Sequence, residues 1–191
     1  MIPRLPRFEQ TAVVIVQHMP AGFTASLALR LHGMSRLSVQ EARNGDPLLA
    51  GHAYVAPGGY HLRVASGRSG PALFLDCGAP LWGVRPAADP LFTTAAACFG
   101  ASCIGVVLTG MGRDGADGLA AIRRVAGRGV VQHRDSAVIP GMPDAALRVA
   151  GAERVVMLDD VADAIAELAT PHELRHGQDS ECLNVRVGDA R

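Results

Sequence analysis

Several absences narrow what this 191-residue chain can be. Neither sign of charge is in excess: 18 Lys and Arg stand against 18 Asp and Glu, for a formal net charge of +0. A balanced chain has no electrostatic footprint for a phosphate backbone or an anionic lipid surface, so no nucleic acid partner is expected. No apolar run approaches the roughly 20 residues of a membrane-spanning helix, so no membrane insertion is expected either. The N-terminus, Met1-Ile2-Pro3-Arg4-Leu5-Pro6-Arg7, mixes prolines with charges and has no apolar signal segment, which points to the cytoplasm. The four cysteines, Cys77, Cys98, Cys103 and Cys182, lack C-x-x-C spacing. Neither a zinc site nor a redox motif is indicated, and buried thiols are expected. The chain is 49% hydrophobic, so a sizeable core is available.

The most informative stretch is Thr109-Gly110-Met111-Gly112-Arg113-Asp114-Gly115. The β-branched run Ile104-Gly105-Val106-Val107-Leu108 precedes it and reads as a buried strand. Leu119, Ile122 and Ala126 then fall on one helical face, with Asp114 as candidate N-cap and Gly127 as stop. In α/β sheets such strand-to-helix turns gather ligands and catalytic groups. Three readings of the turn are open. It matches G-x-G-x-x-G, with Asp135 about 20 residues on as a ribose-binding acid. It also reads as a turn presenting Asp114 as a catalytic carboxylate, or as a capping turn without chemistry. A carboxylate at the helix N-terminus competes with a pyrophosphate for the same N–H groups, which counts against the nucleotide.

Elsewhere, Thr11 to Val16 reads as a strand that Pro20 stops, with a helix after it from about Phe23. Phe23, Leu27 and Leu31 are expected to face the core and Gly33 to close the helix. His18 thus also falls at a strand's carboxyl end. A lone histidine there is more often structural, unless a carboxylate lies opposite to fix its tautomer. Residues 38–42, 52–56, 61–65 and 72–76 are short strands separated by turns, read as hairpins forming an antiparallel edge. Asp89 and Pro90 sign the start of a helix with Phe92, Ala95, Ala96 and Phe99 on its apolar face. A strand over 129–132, a short helix carrying Ala146, Leu147 and Ala150, a strand over 154–158 and a helix with Val161, Ile165 and Leu168 complete the pattern. The alternation predicts an α/β fold: a doubly wound, mainly parallel sheet with an antiparallel hairpin edge. Residues 1–169 form one domain, and 170–191, where apolar periodicity stops, are expected to be a disordered tail. His172 and His176 lie in that tail, and no metal site is expected from them.

The pieces Val16-Gln17-His18-Met19-Pro20, Gly22-Phe23-Thr24, Tyr54-Val55-Ala56-Pro57-Gly58, Val84-Arg85-Pro86 with Asp89-Pro90-Leu91-Phe92, Leu108 to Ala116, and Gly141-Met142-Pro143 occur in one order. In that order, from about residue 11 to 169, the chain resembles the catalytic domain of CheB-type protein-glutamate methylesterases of bacterial chemotaxis. The resemblance implies that His18 is the catalytic histidine and Asp114 the triad aspartate, with Met111 and Gly112 lining the active site. It implies hydrolysis of glutamate methyl esters on the cytoplasmic helices of chemoreceptors by a Ser-His-Asp mechanism, with no cofactor and no metal. The nucleotide reading then becomes unnecessary.

One departure matters. The family's Gly-Ala-Ser-Thr-Gly-Gly-like turn, which carries the nucleophilic serine, is not found in these residues, nor is the family's receiver domain. Ser26, Ser35, Ser38, Ser66, Ser69, Ser102, Ser136 and Ser180 all lie outside any such motif. The nucleophile is therefore unknown. Two expectations follow: a shortened form of an active esterase, or an inactive remnant that acts only as a binding domain. If the family's first strand is interior to the sheet, its neighbours have unpaired edges, and self-association through an exposed sheet edge is expected.

Overall fold

The computed structural model describes residues 1–67 and 70–170. The strands are β1 (Val13–Ile15), β2 (Ser38–Glu41), β3 (His52–Val55), β4 (His61–Gly67), β5 (Gly70–Asp76), β6 (Ile104–Val107), β7 (Arg128–Gln132) and β8 (Arg154–Val156). The helices are α1 (Phe23–His32), α2 (Ala88–Phe99), α3 (Ala116–Arg124), α4 (Gly141–Ala150) and α5 (Val161–Ala169).

Two three-stranded parallel sheets form the centre, in the orders β1-β3-β2 and β6-β7-β8. Val14 pairs with Tyr54 and Gln40 with Tyr54 across the first; Val106 pairs with Val130 and Val131 with Val155 across the second. The mainly parallel α/β architecture agrees with the sequence reading. The antiparallel pair is also present, as the hairpin β4-β5, but it forms a sheet of its own. It packs with α2 over Tyr54 and Ala56. The strands β2 and β3, read from sequence among hairpins, are instead parallel members of the first sheet. Short turn-rich spacing does not distinguish a hairpin from a parallel pair whose crossover is tight.

Helices cover both faces. On one face α1 and α5 pack Ala28, Val161, Ile165 and Leu168 against Val39, Ala53, Val55 and Val130. On the other, α3 and α4 set Leu119 and Ala146 against Val107 and Val131. Phe92 of α2 reaches the clusters under the hairpin and under α3, and so ties the two halves together. The apolar stripe of α5 is buried as expected. That of α1 holds for Leu27 and Leu31, which pack against the core beside the buried Thr24 and Ala28, but Phe23 at the first turn is 61% exposed. A periodicity of four marks a face, but it does not say how far along the helix that face is covered: at the first turn of α1 Thr24 is the buried residue and Phe23 is not.

The expectation of buried thiols holds only in part. Cys98 and Cys103 are partly covered and Cys77 is exposed. Burial pushes the Cys103 thiol up to about 11. Cys182, His172, His176 and the expected disordered tail from 171 onward lie outside the described residues.

Candidate active site

The carboxyl ends of β1 and β6 carry the two groups singled out from sequence, and the fold brings them together. Nε2 of His18 lies 2.7 Å from Oδ2 of Asp114. Asp114 is 2% exposed, whereas His18 keeps about a quarter of its side chain open. The other ring nitrogen, Nδ1, makes no hydrogen bond among the described residues.

Asp114 is held by more than the imidazole. The backbone N–H of Ala88 donates to Oδ2 at 2.7 Å and that of Asp89 to Oδ1 at 3.1 Å. These are N–H groups of the first turn of α2, which has no partners within its own helix. Burial pushes the Asp114 carboxyl up, but the hydrogen bonds from His18, Ala88 and Asp89 outweigh it and hold the group below its ordinary value. The result is a buried carboxylate whose charged form is favoured, facing an imidazole.

The sequence reading made Asp114 the N-cap of α3 and Asp89 the N-cap of α2. The structure exchanges them. Gly115, in a left-handed conformation, precedes α3, and Asp114 caps α2 instead. Asp89 lies inside α2, and its Oδ1 accepts from the N–H of Gly118 in α3 at 2.7 Å. Each helix start is therefore closed by a carboxylate from the other. Asp89 also accepts from the indole Nε1 of Trp82 at 2.8 Å. Burial pushes its pKa up, aided by the nearby charge of Asp114 and opposed by those hydrogen bonds. Two carboxyls side by side are thus pushed in opposite directions, Asp114 being the one that gives up its proton more readily. Cap preferences read along one chain segment cannot reveal a partner from another helix.

This arrangement also disposes of the nucleotide reading. Two buried carboxylates, Asp89 and Asp114, crowd the start of α3, and Asp89 already takes the Gly118 N–H. A pyrophosphate would meet negative charge where it needs free donors.

Met111 and Gly112 sit on the turn that presents Asp114. Gly112 has φ +94, a conformation that a side chain would strain. Met111 is 83% exposed. The turn is anchored from behind: the N–H of Thr109 donates to the fully buried Gln132, and Gly110 exchanges backbone hydrogen bonds with Ile139 and Met142. The loop after β1 is held similarly. Thr24 donates to Glu41 at 2.6 Å and accepts from the N–H of Gly58 at 3.0 Å. A Cβ at Gly58 would lie 2.5 Å from the Pro20 backbone, so only glycine lets the two loops meet. Gln132, Thr24 and Asp89 were not identified from sequence as site supports; their being polar within apolar surroundings was the available signal.

No serine or threonine hydroxyl hydrogen-bonds His18 among the described residues. Ser136 is engaged by Gln132, the carbonyl of His133 and the N–H of Leu158. Thr109 bonds both backbone groups of Ile139. No cluster able to hold a metal ion is found among the described residues.

The comparisons with known proteins converge. A family model described as CheB methylesterase matches residues 1–165. The protein-glutamate methylesterase/protein-glutamine glutaminase of Pyrococcus horikoshii is 41% identical over 167 residues, 87% of this chain and 45% of that protein. The protein of the same description from Symbiobacterium thermophilum is 46% identical over 166 residues, again 45% of its length. The chain thus spans a little under half the length of these curated relatives. The crystal structure of the Thermotoga maritima CheB methylesterase catalytic domain superposes with a TM-score of 0.84 at 36% identity, covering 88% of this chain and 89% of that one. With a matching family model along most of its length and a matching fold, the chain belongs to the CheB methylesterase family.

Proposed function

We propose that this chain supplies the acid–base half of a protein-glutamate methylesterase site, acting on γ-methyl esters of glutamate in the cytoplasmic helices of chemoreceptors. The single observation that carries this reading is the His18–Asp114 contact, with Asp114 buried and ionised under three hydrogen bonds. A hydroxyl nucleophile attacks the ester carbonyl while His18 takes its proton at the free ring nitrogen. Asp114 fixes the imidazole and stabilises its charged form. Collapse of the tetrahedral intermediate breaks the ester C–O bond, and His18 returns the proton to the departing methanol. Water then repeats the sequence on the acyl group and leaves a glutamate carboxylate. The names of the relatives extend the same carbonyl chemistry to glutamine side chains, with ammonia as leaving group.

The nucleophile comes from outside the described residues in this reading. A second reading, an inactive form that only binds receptor, is favoured by the lack of a hydroxyl on His18 among the described residues. Methanol release from methylated receptor helices separates them, measured with the chain alone, with the chain plus a serine-bearing strand peptide, and with His18→Ala. Release that needs both the peptide and His18 supports the esterase. Receptor binding without release under every condition supports the second reading and defeats the first.

A further inference from the structure

Trp82 stands where the local backbone does not favour it. The N–H of Leu81 donates to the carbonyl of Val84 at 3.1 Å, and the N–H of Val84 to that of Leu81 at 3.0 Å. These bonds close a tight turn on Trp82 and Gly83, both left-handed, at φ 55 and φ 79. A turn with two such central residues takes Asn-Gly or Asp-Gly, because larger side chains crowd their own backbone there. Gly83 meets that demand and Trp82 does not. Among the described residues the one other non-glycine with positive φ is Ala126. A residue kept in this conformation is held there by what surrounds it.

Two contacts hold the indole. Its Nε1 donates to Oδ2 of Asp89 at 2.8 Å. Its face carries the Arg113 guanidinium, whose Cζ lies 4.5 Å from the ring centroid. Arg113 also pairs with Asp117 at 2.8 Å. An indole that merely covered apolar surface would need neither partner, yet Trp82 is 46% exposed and meets two charged side chains. It thereby spans the first turn of α2, which holds Asp89, and the turn before α3, which holds Arg113. Asp114 joins the same two segments through the Ala88 and Asp89 N–H groups. The contacts close a ring: Trp82 to Asp89, Asp89 to Asp114, Asp114 along the chain to Arg113, and Arg113 back to Trp82.

The turn needs such a hold. Gly112 and Gly115, at φ 94 and φ 89, flank Arg113 and Asp114, so the backbone on both sides of this pair has the freedom of glycine. The hydrogen bonds to Gln132, Ile139 and Met142 fix Thr109 and Gly110, at the rear of the turn. Its front is fixed by the side chains of Arg113 and Asp114. On the α2 side there is no slack: a Cβ at Gly118 would lie 2.6 Å from Cβ of Phe92 and 3.0 Å from Cα of Asp89. Asp89 therefore sits against the backbone of α3, and its seated carboxylate carries its own N–H to Asp114.

We propose that Trp82 is a positioning residue of the His18–Asp114 pair: it locks the turn that presents Asp114 onto the start of α2, through Asp89 and through Arg113. Loss of these contacts lets Asp114 slip from the Ala88 and Asp89 N–H groups. Its Oδ2, shared between Ala88 and His18, then no longer fixes the imidazole. A carboxylate only accepts, so in the intact arrangement Nε2 carries the ring proton and Nδ1 does not. The bearing of Trp82 on turnover rests on the esterase reading; its hold on the pair does not.

The test uses the whole 191-residue chain, isotopically labelled for magnetic resonance. Trp82→Phe keeps a ring face for Arg113 and removes the N–H. Trp82→Asn removes both contacts and suits the left-handed turn. Hydrogen exchange is read at the amides of Ala88 and Asp89, which bond Asp114, and of Gly118, which bonds Asp89. All three are expected to exchange about tenfold faster in Trp82→Phe and about a hundredfold faster in Trp82→Asn, with Val130 and Val131 of β7 unchanged. Arg113→Gln is expected to speed Ala88 and Asp89 and to spare Gly118. The His18 ring nitrogens, one protonated and one bare in the parent, are expected to show mixed tautomers in Trp82→Asn at a pH where the imidazole is neutral. Parent rates at Ala88 and Asp89 in Trp82→Asn overturn the proposal, whatever Gly118 does. So does an unchanged His18 pattern, or an acceleration shared equally by Val130 and Val131, which is loss of stability at large. Methanol release with the serine-bearing strand peptide is read in the same samples and is expected to fall about tenfold or more in Trp82→Asn. A parent chain that releases none removes the esterase reading, and the amides still decide the role of Trp82.

Discussion

Strands β3 and β7 are each flanked by a strand on both sides; β1 and β6 are flanked on one side only. Ala53, Tyr54 and Val55 of β3 and Val130, Val131 and Gln132 of β7 are essentially without solvent contact. Every residue of β1 is only half-buried, as are Ile104 and Val106 of β6. Yet β1 and β6 are the more uniformly apolar pair, since β3 includes His52 and β7 includes Arg128 and Gln132. The difference lies therefore in what stands beside them, and it shows where apolar burial available to this sequence is left incomplete. The His18–Asp114 pair sits at the mouth of the incomplete region, so the site and the gap in the sheet share one address.

The largest expected effect comes at that address. Asp114→Ala leaves the Ala88 and Asp89 N–H groups and His18 without their acceptor. Loss of a buried, hydrogen-bonded carboxylate that neutralises such donors is expected to cost about 3–5 kcal/mol. Asp114→Asn, which retains one acceptor oxygen, should cost less while still failing to stabilise a charged imidazole. Denaturant titrations of both variants check the order. Strand-dependent methanol release, if present, should fall about a thousandfold or more in either, since members of such a triad act as a unit. Equal stability of Asp114→Ala and the parent chain would break the claim that this carboxylate caps α2.

A paired truncation sharpens the comparison itself. Val131→Ala in β7 empties volume inside a closed core and is expected to cost about 2–3 kcal/mol. Val106→Ala in β6 removes a side chain that already borders open space, and about 1 kcal/mol is expected. With a strand peptide bound, the Val106 value should climb toward the Val131 value. Equal costs without peptide would mean that β6 is no more open than β7.

Acid titration gives a smaller effect with a definite sign. The Asp114 pKa is held below its ordinary value, so the native state binds this proton less readily than the unfolded chain. Its contribution to stability is complete above the ordinary carboxylate value and is lost as pH falls through the native one. The Asp89 pKa is raised, so the native state binds that proton more readily. Stability therefore gains as pH falls through the raised Asp89 value toward the ordinary one. Urea midpoints measured between pH 3 and pH 6 should show a small rise before the fall. Asp89→Asn should remove the rise and keep the fall.

How far the sequence revealed this molecule depended on the range of the interaction. Local patterns placed nearly every strand and helix, including the turn at 109–115 and the buried stripe of α5. They also set His18 and Asp114 at strand ends, although 96 residues separate them. What escaped was settled between distant segments. Asp89 and Asp114 each carry a capping residue's chemistry, and which helix each closes depends on how α2 and α3 pack. Phe23 has the spacing of a core residue but stands exposed at the first turn of α1. The left-handed turn after α3 is taken by Ala126 at φ 61 rather than by the expected Gly127. The split between β1 and β6 is likewise invisible in either strand's own residues, which are those of neighbours in an unbroken sheet.

The smallest effect concerns association of the chain with itself. Two open parallel edges rich in valine and isoleucine, unlike the polar edges β2 and β8, form a template for pairing with another copy. A second copy can offer only its own edge, not a free strand apolar on both faces, so it fills the gap between them poorly and binds weakly. Sedimentation velocity across a tenfold concentration range should show reversible association that disperses when the strand peptide is added. The Val14→Lys variant, with a charge beside the gap, should weaken both association and peptide binding. Association that survives saturating peptide would place the contact elsewhere on the surface and separate self-association from the gap between the sheets.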